Sequence, residues 1–403
     1  MTPIRGWTIA VLAFLAIYGS NLQFPHTLYY DEVYQVKTAQ QITQLSGYTE
    51  TSHPPFAMLL MAGSILIFGD HSWAWRLPSL LSGLGSVLLV FAITRRFSKN
   101  NRLAFFAAFI FFFDGLSFTQ ARIGMLNATT LFFMLLSVWC LLHLEDNSWP
   151  MKKALFLSGI SFGLAAASRW VGFSIAPLLG IFLWRSLQKS ENKSVWFKDF
   201  FLYFKLPVVC AYFAPFLIFP FLKGYDWHAL WTTQTHMLRY HLTLTEGHTY
   251  GSEWWSWQMM TRPIWYFFER SADGVRGILC IGNPMVFWVL PLAVVYAIYA
   301  KVDKKGMWFA QFALAGLLTL WLPWAFVSRV KFFHYFYTAL PFGAMLLAIG
   351  LEKLWSQGSW GRWVVISYLV GVAALFFYWY PLLNGLPISS SYYERHLWFK
   401  SWV

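Results

Sequence analysis

The sequence predicts an all-α polytopic membrane protein. Three observations predict it: hydrophobic residues fill 58% of the 403 positions, charged residues fill only 12%, and the apolar residues gather into runs of membrane-spanning length. A soluble globule has no interior large enough to hide that apolar fraction, so most of the chain must meet lipid. Aromatic residues reach 21%, with 24 Trp. Trp and Tyr concentrate where a chain crosses the headgroup region. So little charge leaves no material for a separate soluble domain, and residues 1–403 read as a single membrane domain.

At about 20 apolar residues per crossing, about 11 spans follow, near 7–23, 77–94, 103–119, 127–144, 154–168, 171–185, 200–222, 283–300, 307–325, 333–351 and 363–381. The first run is preceded by Arg5 and followed by no small-x-small cleavage site, so it reads as a retained helix rather than a signal peptide. Lysine and arginine then sort the connections. Arg95, Arg96, Lys99 and Arg102 share one loop, Lys152 and Lys153 the next on that side, followed by Arg185 to Lys198, Lys301 to Lys305, and Lys353 with Arg362. Such loops face the cytoplasm. The N-terminus is therefore expected inside, and the segment from Leu382 onward outside, in a multi-pass protein of the plasma or inner membrane.

This alternation places two long non-spanning stretches on the outer side, 24–76 and 223–282. In the first, Pro54-Pro55 opens an apolar run ending at Phe68, short for a span and better suited to a helix lying in the interface. In the second, Glu253 to Trp257 and Trp265 to Phe268 have the aromatic density of interfacial helices. The chain shows no internal repeat, heptad pattern or low-complexity tract. It also lacks a Gly-rich phosphate loop, which argues against a nucleotide-driven pump. The net charge of +13 is spread between apolar segments rather than along one face, which speaks against nucleic acid and for anionic lipid phosphates. Cys140, Cys210 and Cys280 are far apart, and no disulfide framework or zinc motif is readable.

The strongest local signal is Tyr29-Tyr30-Asp31-Glu32, two carboxylates just after the first span, followed by His53-Pro54-Pro55. Alone, an acidic pair after a helix reads as a solvated turn or a cap. Carboxylates at a membrane surface are nevertheless costly to desolvate and call for a partner or a task. Transfer of a sugar to a hydroxyl requires a base for the acceptor proton, and cations or a metal for a departing phosphate. Asp31 suits the first role. Arg76, Arg122, Arg169, Arg262 and Arg329, with Lys331, sit at expected outer ends and suit the second, since guanidinium matches phosphate oxygens in a fork; snorkelling to the interface is the alternative for each. His53 suits a carboxylate-orienting or metal-binding role, or simply starts a helix. His228, His236, His241 and His248 in the second stretch leave a divalent metal open.

These residues lie in blocks that resemble the protein O-mannosyltransferase family, of the GT-C class of membrane glycosyltransferases. Eight blocks stand in the family's order: YYDEVYQVKTA, SHPPFAMLLMA, WRLPSLLSG, DGLSFTQARIGMLNA, GLAAASRWVG, SEWWSWQMMTRPIWYF, IGNPMVFW and SRVKFFHYFYTALPF. The resemblance covers nearly the whole chain. It implies a GT-C fold of about 11 membrane helices with the active site at the outer face, where the first outer loop meets the later ones. It also implies Asp31 and Glu32 as the catalytic acidic pair. Arg76, Arg122, Arg329, Lys331, His53 and Asn127 become candidates for the donor phosphate and substrate. Two departures stand out. Asn127 occupies a position where the family usually has aspartate, and Arg169 one where lysine is usual. The second outer stretch is too short for the β-rich insertion of fungal and animal enzymes, which implies a bacterial type.

The expected reaction is an inverting transfer of a sugar, mannose by analogy, from a polyprenyl-phosphate donor to Ser or Thr hydroxyls of an exported protein. A divalent metal and a partner subunit both stay open, and membrane lipid is the surrounding partner. The nearest alternative is the same fold acting on a lipid or glycan acceptor, as aminoarabinose and arabinose transferases do; the Asn-Pro and Phe-His-Tyr blocks favour the protein-directed branch. A transporter or a non-catalytic relative is a further alternative. Transporters place ionisable residues at mid-membrane, whereas here the charges sit near expected outer ends.

Overall fold

The computed structural model describes residues 3–402, apart from 245–246, 273 and 300–303. The basic run at 301–305 therefore lies largely outside the described residues. The 24–76 stretch follows α1 (Pro3–Tyr18) and holds α2 (Glu32–Thr43) and α3 (Phe56–Phe68). Then come α4 (Ser72–Ser98), α5 (Asn101–Phe112), α6 (Gly115–Gln120), α7 (Asn127–Leu142), α8 (Met151–Ser168), α9 (Ala176–Lys189), α10 (Lys193–Phe200) and α11 (Leu206–Phe213). The 223–282 stretch contains α12 (Trp227–Thr243) and the strands β1 (Ile264–Ser271) and β2 (Gly274–Cys280). The chain continues through α13 (Pro284–Phe287), α14 (Leu290–Tyr299), α15 (Lys304–Trp321), α16 (Leu340–Trp355), α17 (Ser359–Asn384) and α18 (Ser390–His396).

Among the described residues, five helical stretches are long and apolar enough to cross a membrane: Ser72–Ser98, Trp170–Lys189, Lys193–Phe221, Gly306–Phe326 and Ser359–Asn384. Shorter apolar helices stand at Thr8–Tyr18, Phe56–Phe68, Asn101–Phe112, Asn127–Leu142 and Pro284–Tyr299. The expected spans fall on helix, but several are broken rather than continuous. The run near 103–119 divides into α5 and α6 because Asp114 leaves the helix and caps the next, accepting from Leu116 N at 2.9 Å and Ser117 N at 3.3 Å. The run near 171–185 opens with a 3₁₀ segment, Trp170–Ile175, before α9.

Close helix packing is written in small residues. Gly159 and Gly163 stand four apart on α8, and a Cβ at either would meet Phe204 O at 2.6 Å or Val208 O at 2.5 Å, so the neighbouring helix approaches to backbone distance. On the other side α8 meets α7, where the Ser137 and Ser158 hydroxyls pair at 2.8 Å. A second node joins α5, α13 and α17. Asn283 donates its backbone N–H to Asp114 Oδ2 at 2.8 Å and its side-chain amide to Phe113 O at 2.9 Å and Val372 O at 2.8 Å.

In the 223–282 stretch the structure corrects two expectations. The segment 265–268 is strand, not an interfacial helix: β1 pairs antiparallel with β2, with an irregularity between Trp265 and Phe267. Its aromatic residues, with Val275 and Ile278 of β2, are good strand formers. The 253–257 segment is one 3₁₀ turn, Trp254–Met259. The long helix of this stretch is α12. Asp226 starts it, accepting from Ala229 N at 3.0 Å, and it leaves Trp227, Trp231, Leu238 and Leu242 exposed along one side. His, Thr, Gln and Arg interleave its apolar residues, which hides it from a hydropathy scan.

Candidate active site

The two adjacent carboxylates part company at the start of α2. Tyr30 adopts the left-handed backbone region with φ 51°, a strained position for a side-chain-bearing residue by about 1 kcal/mol or more. It is held by stacking on Tyr266 of β1 at 4.3 Å. Glu32 then turns inward, fully buried, and binds Arg76 in a fork, from Nε to Oε1 at 2.8 Å and from Nη2 to Oε2 at 2.9 Å. Gly124 N donates to the same Oε1 at 2.8 Å. Asp31 instead stays half-buried. It stands at the N-cap of α2 without capping it, and among the described residues its carboxylate makes no hydrogen bond or ion pair. Burial raises its pKa to about 6; the charge of Arg169 works against that rise and Glu50 adds to it.

Arg169 ends α8 in extended backbone and lines a cavity of about 280 Å³ with Arg329, His53, His241, Trp170, Trp324 and an apolar wall of Val171, Leu320, Pro323 and Val327. The ring of Tyr335 lies under both cations, 5.1 Å from Arg169 and 5.7 Å from Arg329. Arg169 is oriented from behind. Its Nη1 donates to Asn127 Oδ1, Asn127 Nδ2 donates to Gln120 Oε1 at 2.7 Å, and the Gln120 amide reaches the Tyr266 hydroxyl. This chain runs from the tyrosine stacked beside Asp31 to the cation at the cavity. Every link is neutral except Arg169, so its charge is held in place without being cancelled. Arg329 makes no hydrogen bond or ion pair among the described residues.

The other expected cations are placed differently. Arg76 is fully buried and committed to Glu32, Leu22 O at 2.9 Å and Thr27 O at 3.3 Å. Arg122 is buried and donates through Nη1 to Tyr18 O and to Ser20 O at 2.6 Å. Lys331 pairs with Glu253 at 3.1 Å and donates to Val327 O at 3.0 Å. Arg262 is held by Thr249 O at 3.0 Å and Ser401 O at 2.9 Å. None of these four lines the cavity; Arg76, Arg122 and Lys331, expected as phosphate ligands, are tied to backbone carbonyls or to a carboxylate instead. A charge in sequence reveals nothing of its partner. The histidines of the second stretch do not converge: His236 Nδ1 lies 3.3 Å from Thr51 O, His241 Nε2 3.1 Å from Ser52 O, and His248 Nδ1 accepts from Tyr250 N. Among the described residues no group of three or more His, Cys, Asp and Glu is arranged to hold a metal ion.

Two family models match consecutive parts of the chain. One describes dolichyl-phosphate-mannose-protein mannosyltransferase and matches residues 66–230; the other describes the C-terminal four-helix membrane region of protein-O-mannosyltransferase and matches 226–402. The chain belongs to the protein O-mannosyltransferase family. It is similar to the polyprenol-phosphate-mannose–protein mannosyltransferase of Mycobacterium tuberculosis, at 25% identity over 94% of this chain and 86% of the relative. It is likewise similar to that of Corynebacterium glutamicum, at 24% over 88% and 82%. The fold matches a chain of the Saccharomyces cerevisiae Pmt1-Pmt2 complex bound to its sugar donor with a TM-score of 0.86 at 15% identity, covering 100% of this chain and 93% of that one. ArnT of Cupriavidus metallidurans bound to undecaprenyl phosphate matches with a TM-score of 0.63 at 13% identity, over 94% and 77%. The architecture of the family is thus the GT-C fold, in an integral membrane protein of several spans.

Proposed function

We propose that this chain is an inverting mannosyltransferase that moves mannose from a polyprenyl-phosphate carrier to Ser or Thr hydroxyls of exported proteins, working at the outer membrane face. The observation that carries the chemistry is the unpartnered carboxylate of Asp31, held up to about 6 by burial within the field of Arg169. A general base works best with a pKa near the working pH. Asp31 takes the proton of the acceptor hydroxyl as its oxygen attacks the anomeric carbon from the face opposite the phosphate. The bond from that carbon to the phosphate oxygen breaks, and Arg169 and Arg329 meet the charge that gathers on the leaving group. The apolar wall from Val171 to Val327 suits the prenyl chain. Glu32, Arg76 and Arg122 act as positioning residues: they lock the first outer loop so that Asp31 keeps its place. The outer-face assignment rests on the basic loops at the other ends of the spans.

Replacing Asp31 by Asn tests the assignment. Transfer of label from a polyprenyl-phosphate-mannose donor to a Ser/Thr peptide should fall by about 10²–10⁴-fold while the protein stays in the membrane at wild-type level. Near-normal activity in that variant sinks it. Label recovered in organic-soluble lipid instead of protein would move the reading to a lipid acceptor.

A further inference from the structure

The cavity holds two ionisable groups that the transfer chemistry does not use. His53 comes from the turn before α3 and His241 from the last turn of α12, and their rings meet at 5.5 Å on the cavity wall. His241 Nε2 lies 3.1 Å from the carbonyl of Ser52. A carbonyl only accepts, so this nitrogen carries the hydrogen and Nδ1 of the neutral ring is a bare lone pair. That Nδ1 is buried and has no partner, and the same holds for His53 Nδ1. Buried polar atoms in folded proteins are normally satisfied, and an orphan at a cavity points to something that arrives there.

The surroundings explain why the vacant Nδ1 of His241 carries no proton. From the cavity side the pair faces Arg169 and Arg329; on α12 the neighbouring ring is Tyr240, and Trp170 lies 5.8 Å from His241. In the turn, Tyr48 donates to His53 O at 2.8 Å, while the carboxylate of Glu50 is turned onto Ser52, accepting from its N–H at 3.0 Å. Two cations and no opposing carboxylate therefore act on the rings in the empty cavity. Burial and these arginines lower His241 to about 4 and push His53 well below the ordinary histidine value.

The donor is a phosphodiester with one negative charge. When the sugar leaves, the electron pair of the broken bond stays on the phosphate oxygen and the acceptor proton goes to Asp31. The carrier is then a monoester with two negative charges. We propose that the His53–His241 pair is the proton-accepting half of the phosphate site, binding a prenyl phosphate monoester as a dianion together with one proton drawn from solvent. This rests on the reading that Arg169 and Arg329 hold the phosphate. A dianion between the arginines reverses the field on the rings, and the vacant Nδ1 takes the proton and donates it to a phosphate oxygen. Because the second charge is complete only once the sugar bond has broken, the pair takes its proton after transfer and favours the spent carrier over the donor.

The test uses the purified full-length protein in detergent with farnesyl phosphate as probe, by calorimetry at about pH 7.5, where free histidine is neutral. Titration in two buffers of different ionisation enthalpy reads protons taken up on binding. The expected result is uptake approaching about one proton per site, with affinity rising up to tenfold for each unit of falling pH. H241Q and H53Q, on separate elements, should each cut the uptake by more than half and weaken binding several-fold. Unchanged uptake in both variants overturns the proposal, since the proton then sits on the phosphate itself. R329Q separates the two levels. Binding unaffected by R329Q overturns the arginine reading and the proposal with it, whereas binding weakened by R329Q with normal uptake in the histidine variants overturns the histidine proposal alone.

Discussion

Replacing Glu32 by glutamine removes the anionic half of a buried fork while leaving its shape. In the wild type, Arg76 donates to both carboxylate oxygens at 2.8 and 2.9 Å, and neither side chain is exposed to solvent. The glutamine oxygen can still accept from Gly124 N or from one guanidinium N–H, but its amide nitrogen faces a donor. Arg76 keeps the carbonyls of Leu22 and Thr27 and at most one bond to the glutamine oxygen. Breaking one side of a buried ion pair costs about 3–5 kcal/mol, and the bonds glutamine retains put this case near 3. At roughly 2–4 °C per kcal/mol, thermal unfolding in detergent should begin about 6–12 °C earlier. The same measurement on Asp31→Asn should show no loss, because that carboxylate has no partner to lose. A Glu32→Leu, Arg76→Met double variant should recover much of the stability, since a well-packed apolar pair replaces a buried ion pair at little cost. The reasoning is refuted if the Glu32→Gln protein unfolds within about 2 °C of wild type, or if Asp31→Asn proves the less stable of the two.

Two further outcomes follow from the site. The carboxylate form of Asp31 is the active base and burial raises its pKa to about 6, so kcat/KM should be flat above that value and fall tenfold per pH unit below it. A profile with its acid limb near an ordinary aspartate would exclude Asp31 as the group observed. Asn127→Asp places a carboxylate where Arg169 Nη1 now donates to an amide oxygen; the bond is kept but the charge is cancelled. Donor KM should then rise by about tenfold, the equivalent of about 1.4 kcal/mol, with little change in kcat, measured by varying the lipid donor at saturating peptide.

Much of this architecture could be read from residue types alone. Runs such as 77–94 and 363–381 carry one environment along their whole length, and lipid selects them without reference to the rest of the chain. What the sequence concealed depends on pairing. Arg76 and Arg169 are both arginines near helix ends, yet one is locked to Glu32 and the other faces the cavity, and only the fold separates them. The same is true of Asp31 and Glu32, adjacent in sequence and differently placed at the start of α2: Glu32 is buried on Arg76, while Asp31 has no partner among the described residues. The helix α12 escaped because polar residues such as His236 and His241, which meet the backbone of Thr51 and Ser52, interrupt its apolar ones, and the β1–β2 hairpin because its consecutive aromatic run reads equally well as helix. His241, which α12 delivers to the cavity, was grouped by sequence with histidines that it does not meet.

The junction around Asn283 bears on how chains of this kind are sorted in genomes. Every hydrogen bond of that side chain ties backbone together: its amide reaches Phe113 O just past α5 and Val372 O midway along α17, and its own oxygen caps α13 at Met285 N. It is a rivet, and a paralogue that had lost all transfer activity would still need it in order to assemble. A search keyed on that Asn-Pro signature would recover dead copies along with working ones. On the proposed mechanism, the informative marker is the acidic residue one step before the glutamate that binds Arg76.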